Sequence, residues 1–162
     1  MTQDEPRAGD DDATVAYAFS LPAPRAVEAG SELAPCRSMR VLIVDDEEEV
    51  AAALCAALSS WGHDVRKCSD GGSGLAIAGQ QLPEVVLLDL EMPAMDGYEL
   101  ARRLRLRPDL RGSYLIAMRS AGKGRGSLGI ESSIDQFLPK PMNLAVLETL
   151  LRMEGERLDR LA

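Results

Sequence analysis

Four places in this 162-residue chain carry side chains that could do chemistry together: Asp45-Asp46, Asp89, Arg119-Ser120 and Lys140-Pro141. Each follows a short, largely apolar run: Arg40-Val-Leu-Ile-Val44, Glu84-Val-Val-Leu-Leu88, Tyr114-Leu-Ile-Ala-Met118 and Gln136-Phe-Leu-Pro139. Three acids converging on one edge repel one another and are stable there only if a cation joins them. Hard oxygen ligands without histidine or cysteine suit Mg²⁺. A lysine at the same edge adds a fixed positive charge. Mg²⁺, a lysine and a carboxylate nucleophile suit phosphoryl transfer, with the cations neutralising the phosphoryl oxygens while Asp89 attacks in line. Taken singly, each residue has a plainer reading: Asp45-Asp46 as a helix cap, Asp89 as a turn residue. Their recurrence at successive strand ends favours the joint reading.

The elements that must position these residues are also legible. The apolar runs suit strands buried on both faces. A helix is expected after the first, with Val50, Leu54, Ala57, Leu58 and Trp61 on one face and Gly62 ending it. Asp64-Val-Arg-Lys-Cys68 is a weak strand, and Gly71 to Gln80 a poor helix carrying Leu75, Ile77 and Ala78. Asp96 and Glu99 have capping-box spacing ahead of a helix burying Leu100, Ala101 and Leu104. Asn143 caps a last helix with Leu144, Leu147, Leu150 and Leu151 inward. Strand and helix alternate, which predicts an α/β fold: an open, doubly wound sheet of five parallel strands with helices on both faces. Ligands in such sheets sit at the carboxyl ends of the strands, where the four places above fall.

Composition narrows the function further. The chain has 26 acidic against 18 basic residues, net −8, which disfavours direct nucleic-acid binding. No apolar run is long enough to span a membrane. Cys36, Cys55 and Cys68 have no metal-like spacing, and a reducing cytoplasm fits them. His63, the single histidine, reads as a surface turn residue, and Arg102, Arg103, Arg105 and Arg107 as a solvated helix face. Residues 1–38 hold seven acids, three bases and scattered Pro and Gly, which predicts an acidic, mostly disordered leader ahead of a folded domain over 39–162.

From about Arg40 to Leu151 the chain resembles the receiver domain of two-component response regulators. The residues that carry the resemblance are Val41-Leu-Ile-Val-Asp45-Asp46, Leu87-Leu-Asp89-Leu-Glu-Met-Pro93-Ala-Met-Asp-Gly97, and Phe137-Leu-Pro-Lys140-Pro141. The resemblance implies a flavodoxin-like sheet with strand order 2-1-3-4-5. It implies that Asp89 accepts a phosphoryl group from a histidine kinase or phosphotransfer protein, and that the domain signals by docking to other proteins without an independent catalytic module. Asp46, Asp89 and the backbone carbonyl of Glu91 would hold Mg²⁺, with Asp45 assisting through water. Lys140 would pair with the phosphoryl group, and the Lys140–Pro141 bond would be cis.

Two places depart from the family's pattern. Thr or Ser usually follows strand four, whereas Arg119 stands there, with Ser120 next. Arg119 would either pair with Asp89 and mimic or obstruct the phosphate, or turn to solvent and leave Ser120 to serve. The alternative function is therefore a pseudo-receiver that binds partners with impaired switching. Phe137 holds the position of the family's rotating aromatic and is also an ordinary core residue. Secondly, Gly122, Gly124, Gly126 and Gly129 predict a short or frayed fourth helix around a basic Lys123–Arg125 segment. In the leader, Thr14 to Pro22 resembles the closing strand of a histidine-kinase ATPase domain, suggesting the tail end of a hybrid kinase.

Overall fold

The computed structural model describes residues 37–120 and 131–162. The leader strand, the glycine-rich helix and the Lys123–Arg125 segment lie outside the described residues. Five strands form one parallel sheet: β1 (Arg40–Val44), β2 (Asp64–Cys68), β3 (Val85–Asp89), β4 (Tyr114–Ser120) and β5 (Gln136–Lys140). Their order is β2-β1-β3-β4-β5, the flavodoxin-like arrangement expected. The described helices are α1 (Glu48–Ser60), α2 (Gly71–Gln81), α3 (Gly97–Leu106) and α4 (Leu144–Leu161), with a 3₁₀ turn over Glu131–Ser133.

The central strands are apolar along their whole length because helices cover both sides. Residues of β1 and β3 alternate between two cores. Leu42, Val44, Val86 and Leu88 face Leu100, Leu104 and Ala78 of α3 and α2. Val41, Ile43, Val85 and Leu87 face Leu54 and Leu58 of α1 and Leu147 and Leu151 of α4. β2 is an edge strand, half exposed, and its polar residues fit that place.

Local chemistry sets where the helices begin. The Asp96 carboxylate accepts the Glu99 N–H at 2.9 Å. The Glu99 side chain turns forward to Arg102 and Arg103, so the pair gives half of the expected capping box. Asn143 accepts the Ala145 N–H at 3.0 Å. Asp70 accepts the Ser73 N–H at 2.8 Å and starts α2 despite its glycines. The cap position of α1 is Glu47, with no side-chain cap hydrogen bond, so Asp45 and Asp46 do not cap that helix. Gly62 closes the turn after α1 at φ 91°, a conformation open to glycine.

Two expectations are corrected. His63 is buried, not a surface residue: the turn after α1 tucks it beneath the start of β1, where its Nδ1 accepts the Met39 N–H at 3.3 Å. Burial lowers its pKa, consistent with the neutral ring an acceptor nitrogen requires. Leu144 is exposed because it precedes the turn of α4 that meets the sheet, whereas Leu147 and Leu151 are buried. The four arginines of the α3 region are tied down within the fold. Arg102 and Arg103 pair with Glu99, Arg105 with Asp135, and Arg107 with Asp109.

Gly97 couples α3 to the end of β3. A Cβ there would lie 2.3 Å from the Asp89 carbonyl oxygen and 2.8 Å from Leu88 Cδ1, both inside contact distance. Gly97→Ala should therefore cost about 1–3 kcal/mol through overpacking, read as a lower midpoint in urea unfolding.

Candidate functional site

The parallel register brings the carboxyl ends of β1, β3, β4 and β5 to one edge. Val44 pairs with Leu88, Asp89 with Met118, and Ser120 with Lys140. Asp45 and Asp89 are held alike. Oδ1 of Asp45 accepts the Glu47 N–H at 2.9 Å, and Oδ1 of Asp89 accepts the Glu91 N–H at 3.0 Å. Each side chain thus closes a turn on the residue two ahead, which fixes its rotamer. The other oxygens turn to one ammonium: Lys140 Nζ lies 3.0 Å from Asp45 Oδ2 and 3.3 Å from Asp89 Oδ2. The Lys140–Pro141 peptide bond is cis.

Burial dominates the electrostatics. It raises the pKa of Asp45, opposed by the Glu47 N–H and by Lys140. It raises Asp89 in the same way, against the Glu91 N–H and Lys140, and the nearby Asp46 carboxylate pushes in the same direction as burial. Burial alone would lower Lys140, but the acids around it outweigh that and raise it, so the lysine stays charged.

The structure distributes the remaining candidates unevenly. Asp46 is exposed beside Asp89. Glu91 supplies its N–H to Asp89, and its side chain accepts the Ser120 Oγ–H at 3.1 Å. Arg119 and Ser120 lie within β4 rather than beyond it. Arg119 neither pairs with Asp89 nor runs free into solvent. Its guanidinium sits over the Phe137 ring, 5.4 Å from the centroid, a cation–π distance. Phe137 packs against the α2–α3 core.

One residue was missed. Glu47 joins the cluster: its carboxylate accepts a hydrogen bond from Lys140 at 3.1 Å, and it offers an oxygen within 4.8 Å of those of Asp45 and Asp89. The signal in the sequence was the unbroken acid run from Asp45 to Glu49, which does not say which member turns inward.

The donor set fits a hard divalent cation. Its atoms are carboxylate oxygens, and Asp45 Oδ2, fully buried, has no hydrogen-bond partner; the Lys140 ammonium is close to it but not aligned.

The response regulator receiver domain profile matches residues 41–152. The chain belongs to the response regulator receiver domain family. The receiver is 35% identical over 116 residues to "Response regulator PleD" of Caulobacter vibrioides, covering 71% of this chain and 26% of that protein. It is 35% identical over 117 residues to "Response regulator MprA" of Mycolicibacterium vanbaalenii, covering 72% of this chain and 49% of that protein. The chain therefore spans only a quarter to a half of these curated relatives. Among solved structures, the receiver domain of a signal transduction histidine kinase from Syntrophus aciditrophicus is similar, with a TM-score of 0.65, 25% identity, and coverage of 76% of this chain and 94% of that one. Chemotaxis response regulator CheY4 of Vibrio cholerae shares the fold at a TM-score of 0.65 and 22% identity, covering 73% of this chain and 99% of that one. No described helix of this receiver is long and apolar enough to cross a membrane.

The raised carboxyl pKa of Asp45 predicts a pH dependence. A buried acid of this kind binds its proton more tightly folded than unfolded, so its ionisation costs stability as pH rises above about 4. Without divalent ions, Asp45→Asn, whose amide oxygen still accepts the Glu47 N–H, should be more stable than the parent at pH 7. The gap should close as the pH falls to about 4, where the parent carboxyl is protonated too. Thermal unfolding across that pH range checks the sign.

Proposed function

We propose that this receiver accepts a phosphoryl group on Asp89 from a phosphohistidine of a histidine kinase or phosphotransfer protein, in a Mg²⁺-dependent reaction, and signals by docking to another protein in the cytoplasm. The observation that carries the reading is the sharing of one partly buried ammonium, that of Lys140, by Asp45 Oδ2 and Asp89 Oδ2. Asp89 is the nucleophile: its carboxylate oxygen bonds to phosphorus as the phosphorus–nitrogen bond to the donor histidine breaks, and the histidine leaves with the electron pair. The Glu91 N–H on Oδ1 keeps the carboxylate oriented for that attack. Lys140 stands where phosphoryl charge arrives and stabilises it. Asp45, Asp46, Asp89 and the Glu91 carbonyl are the residues to hold Mg²⁺, which when bound supplies further neutralisation of the phosphoryl oxygens.

Incubation with acetyl phosphate and Mg²⁺ should add one phosphoryl group, seen by intact-protein mass spectrometry. Asp89→Asn or a chelator should abolish the gain, and Lys140→Ala should slow it roughly a hundredfold. A folded parent that gains no phosphoryl group would sink the reading.

Arg119 favours a second reading, a receiver with impaired switching. Its guanidinium lies over the Phe137 ring, at the position where the family usually carries Thr or Ser. Under this reading beryllofluoride binds at Asp89 but leaves the Phe137 NMR resonances unmoved, and Arg119→Thr restores their response. Phe137 resonances that shift in the parent on beryllofluoride binding would reject it.

A further inference from the structure

The cap position of α1 is occupied by a side chain that does not cap. Glu47 makes no hydrogen bond to the first turn of its own helix. It reaches across to β5 instead, and its Oε1 takes a hydrogen bond from Lys140 Nζ at 3.1 Å, as close as the contact with Asp45 Oδ2 at 3.0 Å and closer than that with Asp89 Oδ2 at 3.3 Å. The three acids are not equivalent. The side chains of Asp45 and Asp89 are 0% and 2% exposed, whereas that of Glu47 is 62% exposed. Only Glu47 can leave the ammonium without a buried charge being stranded.

We infer that Glu47 is a positioning residue that competes for Lys140 with the phosphoryl group arriving at Asp89, and so sets the balance between cation and anion binding at this site. The inference rests on the phosphoacceptor reading above and adds to it a residue that the sequence did not single out. Three carboxylates lie within 3.3 Å of this ammonium, and the one that takes a hydrogen bond from it is Glu47. A phosphoryl group on Asp89 brings new oxygens to the same ammonium, and Glu47 is the partner that gives way. Its charge acts with opposite sign on the two ligands. It adds to the negative field that attracts a divalent cation, alongside the orphaned Asp45 Oδ2. It opposes an incoming anion, both by repulsion and by holding part of the lysine.

The test is Glu47→Gln, which keeps the length of the side chain and removes its charge. Two affinities are read: Mg²⁺ alone, by calorimetry, and beryllofluoride at saturating Mg²⁺, by fluorine NMR. A partly exposed charge contact of this kind predicts shifts of roughly two- to fivefold, with Mg²⁺ weakened and beryllofluoride tightened. Glu48→Gln is the control. It removes the same charge one residue along, from a side chain engaged with Lys67 outside the cluster, and should move neither affinity. The inference is overturned if Glu47→Gln moves neither affinity, if it moves both in the same direction, or if Glu48→Gln reproduces its effect. A parent that forms no beryllofluoride adduct overturns the phosphoacceptor reading and this inference with it. A parent that forms the adduct, with Glu47→Gln behaving identically, overturns this inference alone.

Discussion

Two aspartate side chains buried at one edge of a sheet would repel each other strongly in a medium that screens poorly, and neither has water to solvate it. The Lys140 ammonium between Asp45 and Asp89 makes the arrangement tenable. Even so, burial raises the proton affinity of both acids, so the lysine only partly compensates them. The remaining deficit is a standing attraction for positive charge, which the proposed phosphoryl transfer would use. The same edge is therefore costly to the fold and useful to the chemistry.

The scaffold tolerates that cost because the aspartates have little freedom. Each uses one oxygen to accept an N–H two residues on, and the backbone around each is pinned in turn. The Leu90 N–H donates to Met118 O at 3.1 Å, and the Asp45 N–H donates to Cys68 O at 3.1 Å, extending the sheet's hydrogen bonding past the acids. On the far side of Asp89 its carbonyl sits so close to Gly97 that no larger residue fits without a shift, which sets where α3 can start. The two cores on either face leave β1 and β3 no room to slide.

Charge elsewhere is spent on the fold itself. Arg105 donates to the carbonyls of Ser133 and Ser113 and pairs with Asp135, locking the end of α3 to the start of β5. Arg37 bridges Glu84, ahead of β3, and Asp159, near the end of α4. Of the arginines that look like a basic strip in the sequence, Arg105 ties elements together, while Arg102, Arg103 and Arg107 pair with acids two to four residues away. Arg119 differs: its guanidinium lies on the face of Phe137, a weaker hold than a carboxylate.

Much of this was legible in the chain because it depends on local chemistry. Continuous apolar runs specify doubly covered strands, Asp96 and Asn143 specify helix starts, and alternation of strand and helix specifies a parallel sheet whose strand ends meet. From that alone Asp45, Asp89 and Lys140 belong to one edge. The rest depended on which side chain reaches what across long sequence separations. Nothing in the run Asp45 to Glu49 says that Glu47, and not Glu48, turns to a lysine 93 residues away. Nor does the sequence show that Arg119 lies on an aromatic ring, or that His63 is drawn under β1 to accept a backbone N–H. Periodicity and caps act within a few residues, so the chain alone determined the elements and their order. The partners of individual charges were decided only by tertiary structure, because a contact between distant segments depends on how the loops between them are packed.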